Sequence, residues 1–208
     1  MKRIVCADAL EWLEGQRNVG SIVTSLPDAE EIGATLLDWS AWYKRAVGLC
    51  LAAASPDCPV IFYQTDRKAQ GQVVSKAQLC MNGAAKAGAR LLWHKVVLRR
   101  GVGKVDLHRP GFTHLLAFSM RAKPGKATPD VLERGRMVYP NAMGLDVARF
   151  AVGYAGAFSR TIVDPFCGRG SVPAIADAMG FDAIGVDIDP EQCRHAEALS
   201  VSADEVSE

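Results

Sequence analysis

Short runs of consecutive apolar residues alternate along this chain with longer stretches whose apolar positions recur at helical spacing, the pattern of buried strands separated by helices. Arg3 to Cys6 gives the first strand signal and Val19 to Val23 the second. Leu36 to Ala54 reads as a helix with Leu37, Ala41, Lys44 and Gly48 down one face. Pro59 to Tyr63 is strand-like, Ala69 to Ala87 helical and Leu91 to Leu98 a strand, and Thr113 to Met120 is the last strand of a sheet-ending hairpin. Asp146 to Ala155 is a helix that leads into a strand at Ile162 and Val163. Residues 171 to 179 again carry small apolar residues at helical spacing, and Phe181 to Val186 is a further strand. This alternation predicts one α/β domain over residues 1–199 with a Rossmann-like, doubly wound, mostly parallel sheet. Residues 200–208, with Asp204, Glu205 and Glu208, read as a flexible tail.

The segment from Thr161 to Pro190 carries the densest chemistry. Asp164 ends its strand with a carboxylate at the carboxyl edge, where open α/β sheets bind ligands. Gly168 and Gly170 then permit a tight turn and a close backbone approach. Asp187 closes the second strand, placed to accept hydrogen bonds from ribose hydroxyls. A nucleotide-binding half-site of this kind normally opens a doubly wound sheet; here it comes last, so the remaining strands must come from upstream. Asp189, before Pro190, has the position of a helix cap.

Asp164-Pro165-Phe166-Cys167-Gly168-Arg169-Gly170 resembles the D-P-F-x-G-x-G signature of S-adenosylmethionine-dependent methyltransferases, particularly the amino-methyltransferases that modify nucleic-acid bases. The order of motifs is similar to the circularly permuted class of that family, with a terminal antiparallel hairpin in the sheet. The resemblance implies S-adenosyl-L-methionine as cofactor, held by Asp8, Ala9, Thr24, Asn141, Asp164, Phe166, Gly168, Gly170, Asp187 and Ile188. Asp8 stands where the family contacts the adenine amino group, and Asn141, after Tyr139-Pro140, where it covers the methionine end. The family's catalytic motif is Asp, Asn or Ser, then Pro-Pro, then an aromatic residue. Thr24-Ser25-Leu26-Pro27-Asp28 matches it at Ser25 and Pro27 and departs at Leu26 and Asp28. The resemblance makes Ser25, Pro27 and Asp28 the catalytic residues. The family's first polar side chain and the adjacent backbone carbonyl hold the target nitrogen, while its aromatic stacks on a base turned out of its helix. Asp28 offers a carboxylate instead, toward an exocyclic amine or a ring nitrogen that it deprotonates; its other reading is a cap for a helix entering at Ala29.

Charge sharpens the substrate. The formal net charge is +1, yet Lys95 to Lys126 holds eight Lys or Arg against the single acid Asp106. Arg99, Arg100, Lys104, His108 and Arg109 lie in the expected hairpin loop, residues 99–112, and Arg121, Lys123 and Lys126 follow the hairpin. That concentration suits a polyanion. The loop separates a catalytic-motif half, residues 1–98, from a cofactor-binding half, residues 139–199. Only residues 99–112 and 121–140 are spare, which leaves no room for an element that reads a duplex groove. The expectation is therefore RNA, as tRNA or rRNA, over DNA. The alternatives are an inactive RNA-binding or partner-activating relative and a DNA adenine or cytosine amino-methyltransferase. A small-molecule substrate is disfavoured by the basic loop.

Six cysteines form no C-x-x-C pair, so no metal is expected, and most read as small buried residues of a reducing compartment. Trp12, Trp39, Trp42 and Trp93 read as core. No apolar run approaches the ~20 residues of a membrane span, and an acid at residue 8 argues against a signal peptide. The expected location is the cytoplasm, and a homodimer is left open.

Overall fold

A computed structural model describes residues 1–69, 71–105 and 109–207. The expected site residue His108 lies outside the described residues. In chain order the elements are β1 Lys2–Cys6, α1 Ala9–Glu14, β2 Ser21–Thr24, α2 Leu36–Ala53, β3 Val60–Gln64, β4 Arg67–Ala69, β5 Gln72–Val74, α3 Lys76–Lys86 and β6 Arg90–Leu98. They continue with β7 Phe112–Ser119, β8 Val131–Glu133, α4 Leu145–Gly156, β9 Thr161–Asp164, α5 Ser171–Ala178, β10 Asp182–Asp187, α6 Pro190–Ala198 and α7 Ala203–Val206.

Eight strands form one sheet in the order β1-β10-β9-β2-β3-β7-β6-β8. The first five are parallel, β7 runs antiparallel between β3 and β6, and β8 adds to β6 in parallel. The antiparallel pair β6–β7 is thus present but does not end the sheet, because β8 covers its edge. The strand that comes late in the sequence, β9, occupies the middle of the parallel set.

Alternate residues feed two cores. Ile22, Val60, Phe62 and Leu116 face one side with Trp39, Tyr43, Val47 and Cys50 of α2 and Cys80 of α3. Val23, Ile61 and Leu115 face the other with Val147, Ala151 and Ala155 of α4 and Ile175 of α5. All four residues of β2 are buried, as a central parallel strand requires.

Three sequence expectations are corrected. The stripe Leu37, Ala41, Lys44 and Gly48 lies away from the core; α2 buries Trp39, Tyr43, Ala46, Val47 and Cys50 instead, because that stripe carries the larger apolar area. β4 and β5 pair antiparallel, with Gly71 before β5 at φ +75°, and the helix expected from Ala69 begins only at Lys76, behind its cap Ser75. The expected tail carries α7: Ser202 and Glu205 form a capping box, Arg136 pairs with Glu205, and Val206 packs into the second core.

Candidate active site

Parallel strands end at one edge of the sheet, and β1, β10, β9 and β2 each lead into expected site residues there. The chain leaves β9 through α5 toward β10 and leaves β2 through α2 toward β3, in opposite directions along the sheet. The crevice between β9 and β2 is therefore the topological switch point.

Asp164 lies at that crevice with only 4% of its surface exposed. Thr24 Oγ1 donates to its Oδ1 at 2.6 Å, and the Phe166 amide donates to the same oxygen at 3.2 Å. Burial pushes the carboxyl up to about 7, the neighbouring Asp187 charge acts in the same direction, and the two hydrogen bonds oppose them.

The loop after Asp164 is tied to β10. The Cys167 amide donates to Val186 O at 2.9 Å and the Gly168 amide to Asp187 Oδ2 at 2.9 Å. Asp187 Oδ1 accepts from the Asp189 amide at 2.9 Å. A carboxylate has about four acceptor directions, so Asp187 keeps capacity for a ligand's hydroxyls. Gly168 and Gly170 hold φ of +51° and +85°. A Cβ on Gly168 would meet nothing within 4 Å, whereas one on Gly170 would stand 2.7 Å from Ala196 Cβ in α6. One glycine thus opens the loop and the other lets it pack. Cys167 is buried, and burial raises its thiol far above the ordinary range.

The remaining expected cofactor residues surround this loop. Ala7 N donates to Asp187 O at 2.9 Å, which places Asp8 beside the end of β10. Asp8 Oδ1 caps α1 through Leu10 N at 2.8 Å and Glu11 N at 3.0 Å, while Ala9 is buried behind it. Ile188 is 66% exposed next to Asp187, an apolar surface at the strand end. The Phe166 ring meets Trp42 edge-on at 5.7 Å. Burial raises the Tyr139 phenol above its ordinary range, and the Arg169 guanidinium lies 5.1 Å from its ring. Asn141 is exposed just beyond, in a left-handed turn at φ +68° closed by Ala142 N to Tyr139 O at 3.1 Å. Asp189 caps α6 through Glu191 N at 2.7 Å.

On the β2 side the expected catalytic turn follows directly. Ser25 is exposed, whereas Leu26, the first departure from the motif, is 2% exposed in the α2-side core. Pro27 O accepts from Trp39 Nε1 at 3.0 Å. Asp28 caps no helix: residues 29–33 are turns, and α2 starts at Leu36 behind its cap Thr35. The Asp28 carboxylate instead lies 2.5 Å from Lys76 Nζ, without the alignment of a hydrogen bond, so the contact is an ion pair. Lys76, Trp39 and the Asp28–Lys76 contact have no motif in the sequence; the available signal is a lysine in the first turn of a helix, where a cation opposes the helix dipole.

The basic cluster divides. Leu98 pairs with Phe112, and Gln64 at the end of β3 pairs with His114 in β7. The loop between β6 and β7 therefore lies at the same edge as Ser25. Arg99 and Arg100 amides both donate to Gly111 O, at 2.9 and 3.2 Å, and Arg100, Lys104 and Arg109 are exposed. Arg121 lies at the opposite edge, its amide donating to Pro56 O at 2.9 Å and its guanidinium pairing with Asp57 at 2.7 Å. Lys123 and Lys126 belong to that far side. Lys95 is buried, donating to Thr128 O at 3.1 Å and Pro129 O at 2.7 Å. Among the described residues no cluster of three or more His, Cys, Asp or Glu is placed to hold a metal ion, and no helix is long and apolar enough to cross a membrane.

No protein-family model matches the sequence, and no curated protein matches it. Solved structures do. A Thermus thermophilus protein assigned as a DNA modification methylase, complexed with S-adenosyl-L-methionine, is similar at TM-score 0.74 and 18% identity, over 100% of this chain and 95% of that one. PvuII DNA methyltransferase, cytosine-N4-specific, is similar at TM-score 0.78 and 13% identity, over 98% and 89%. M1.HpyAVI, in complex with SAM, is similar at TM-score 0.63 and 15% identity, over 95% and 98%. At these identities the likeness establishes architecture: the chain has the α/β methyltransferase fold.

Proposed function

We propose that the chain is an S-adenosylmethionine-dependent N-methyltransferase acting on a base of DNA, in a circularly permuted form of the fold with catalytic strand β2 ahead of cofactor strand β9. The observation that carries this reading is the Thr24–Asp164 hydrogen bond, which joins the ends of those two strands at the switch point. The residues present fit the cofactor. Asp187 retains acceptor capacity for ribose hydroxyls, Ile188 offers an exposed apolar face to adenine, and the loop is open above Gly168.

Bound there, the cofactor would supply an electrophilic methyl group. Ser25 and the Leu26 carbonyl hold the acceptor nitrogen, and holding it in line with the methyl carbon supplies much of the acceleration. Asp28 is engaged by Lys76 rather than free to take a ring proton, which favours an exocyclic amine, on cytosine or adenine, as the acceptor. The exposed Arg100, Lys104 and Arg109, in the loop at the same edge of the sheet, would serve the phosphate backbone.

DNA replaces the RNA expected from the spare length of the chain. PvuII methyltransferase, named as a DNA enzyme, is covered over 89% of its length by 98% of this chain. A chain of this extent therefore suffices for a DNA methyltransferase, and the argument for RNA loses its basis. Titration calorimetry with S-adenosyl-L-methionine tests the reading: wild type is expected to bind and Asp187→Ala to bind at least about tenfold more weakly, the loss of one or two charge-assisted hydrogen bonds. No binding by wild type, or equal binding by the variant, contradicts it.

A further inference from the structure

Lys76 combines two unfavourable placements. It occupies the first helical position of α3, against the positive end of the helix dipole. It is also only 5% exposed, and an ammonium is expensive to bury without a partner. Its chain neighbourhood is nevertheless firmly built. Ser75 caps α3 through Gln78 N, and the Lys76 amide donates to Asp66 Oδ1 at 2.8 Å. Asp66 in turn accepts from His114 Nε2 at 3.1 Å, which fastens the start of α3 to β7. The backbone is thereby fixed, and the side chain reaches Asp28 Oδ1 at 2.5 Å, with its ammonium 5.9 Å from the Trp39 ring.

Trp39 completes the device from the other side. Its indole N–H donates to Pro27 O at 3.0 Å, one residue before Asp28, and the ring is fully buried in α2. Two helices thus grip consecutive residues of one turn, α2 through the Pro27 carbonyl and α3 through the Asp28 carboxylate. Beside them Arg67 of β4 pairs with Glu30, and its guanidinium lies 5.9 Å from the same indole. The first contact falls on Pro27, next to Leu26 where the family motif has its other proline, and the second on Asp28, where the motif has an aromatic ring.

Resting on the methyltransferase reading above, we infer that Lys76 is a positioning residue for methyl transfer: through Asp28 it holds the Ser25–Asp28 turn in the geometry that aligns the acceptor nitrogen. It acts through Asp28 and touches neither cofactor nor methyl group. The consequence is selective. Loosening the turn changes the alignment of the acceptor more than its binding, and leaves the cofactor loop on β9 and β10 untouched.

The test uses the full chain, methyl-labelled S-adenosyl-L-methionine and unmethylated genomic DNA, with Lys76→Met, Lys76→Arg, Asp28→Asn and the Lys76→Met/Asp28→Asn double variant. Lys76→Met is expected to lower kcat about ten- to a hundredfold, the cost of a small misalignment, with KM for DNA and affinity for the cofactor within about threefold of wild type. Lys76→Arg is expected to restore much of the loss, because the charge returns. Unchanged kcat, or a parallel loss of cofactor affinity, overturns the inference. Thermal melting of the same four proteins reads the pair without activity. Each single variant should melt below wild type and the double variant above the sum of the two losses, whereas additive losses show that the two side chains do not depend on each other. A wild type that binds no cofactor and transfers no label brings down the methyltransferase reading itself, while the melting cycle still reports on the pair.

Discussion

The Asp164 carboxyl group is buried with Thr24 and the Phe166 amide as its donors, and burial raises it to about 7. Between about pH 4, where an unfolded Asp releases its proton, and pH 7, the folded chain keeps a proton that the unfolded chain has lost. Stability therefore falls as pH rises through that window. Asp164→Asn keeps an oxygen for both donors and removes the charge. Urea unfolding at pH 5 and pH 8 should show wild type losing stability across the interval, on the order of a few kcal/mol, and the variant losing distinctly less. Equal losses would show that Asp164 titrates normally. The two loop glycines separate in the same assay. Gly168→Ala faces open space and should cost about 1 kcal/mol for its left-handed backbone. Gly170→Ala adds a clash with Ala196 and should cost about 1–3 kcal/mol more. Comparable losses would contradict the close packing of that loop on α6. At this scale the sequence displays Asp164, the glycines and Asp187 because they are neighbours in a motif. It hides Lys76, since 48 positions separate it from Asp28 and only the fold brings them together.

Among the elements, β7 decides what the basic residues do. Its eight residues carry the chain about 26 Å across the sheet at the usual rise. Arg99, Arg100, Lys104 and Arg109 are left at the catalytic edge and Arg121, Lys123 and Lys126 at the other. Lys104→Ala should therefore weaken DNA binding and lower the slope of log affinity against log salt by about 0.9, and Lys123→Ala should change neither. An equal effect of both substitutions would mean that DNA does not lie along the catalytic edge. A charge run contiguous in sequence gave no sign of this division, because the hydrophobic pattern of β7 fixes where it is, not what lies at each end. The β4–β5 pair was hidden for a related reason: three-residue strands have too little periodicity to compete with the helical pattern that follows. The α2 face was misread because Leu37, Ala41, Lys44 and Gly48 have helical spacing, while the burial of Trp39 and Tyr43 is decided by the sheet beneath them.

The molecule as a whole folds so that strands from both ends of the sequence meet: β1 pairs with β10, and β9 lies between β10 and β2. The order of the two motifs made legible that the strands accompanying the late half-site come from upstream, but not their order in the sheet. The preference for RNA rested on spare length, which carries no weight once a DNA methyltransferase of similar extent shares the architecture. Asp187 and Gly168 follow β10 and β9, and Ser25 and Asp28 follow β2, so the proposed reading brings cofactor and target base together at one edge of the sheet. On the proposed reading this edge transfers a methyl group to an exocyclic amine of DNA. The most direct measurement of that transfer is incubation of the protein with methyl-labelled S-adenosyl-L-methionine and either unmethylated genomic DNA or total RNA, followed by nucleoside mass spectrometry. Label is expected in DNA, as N4-methylcytosine or N6-methyladenine; label confined to RNA, on a ring atom, or absent from both polymers contradicts that reading.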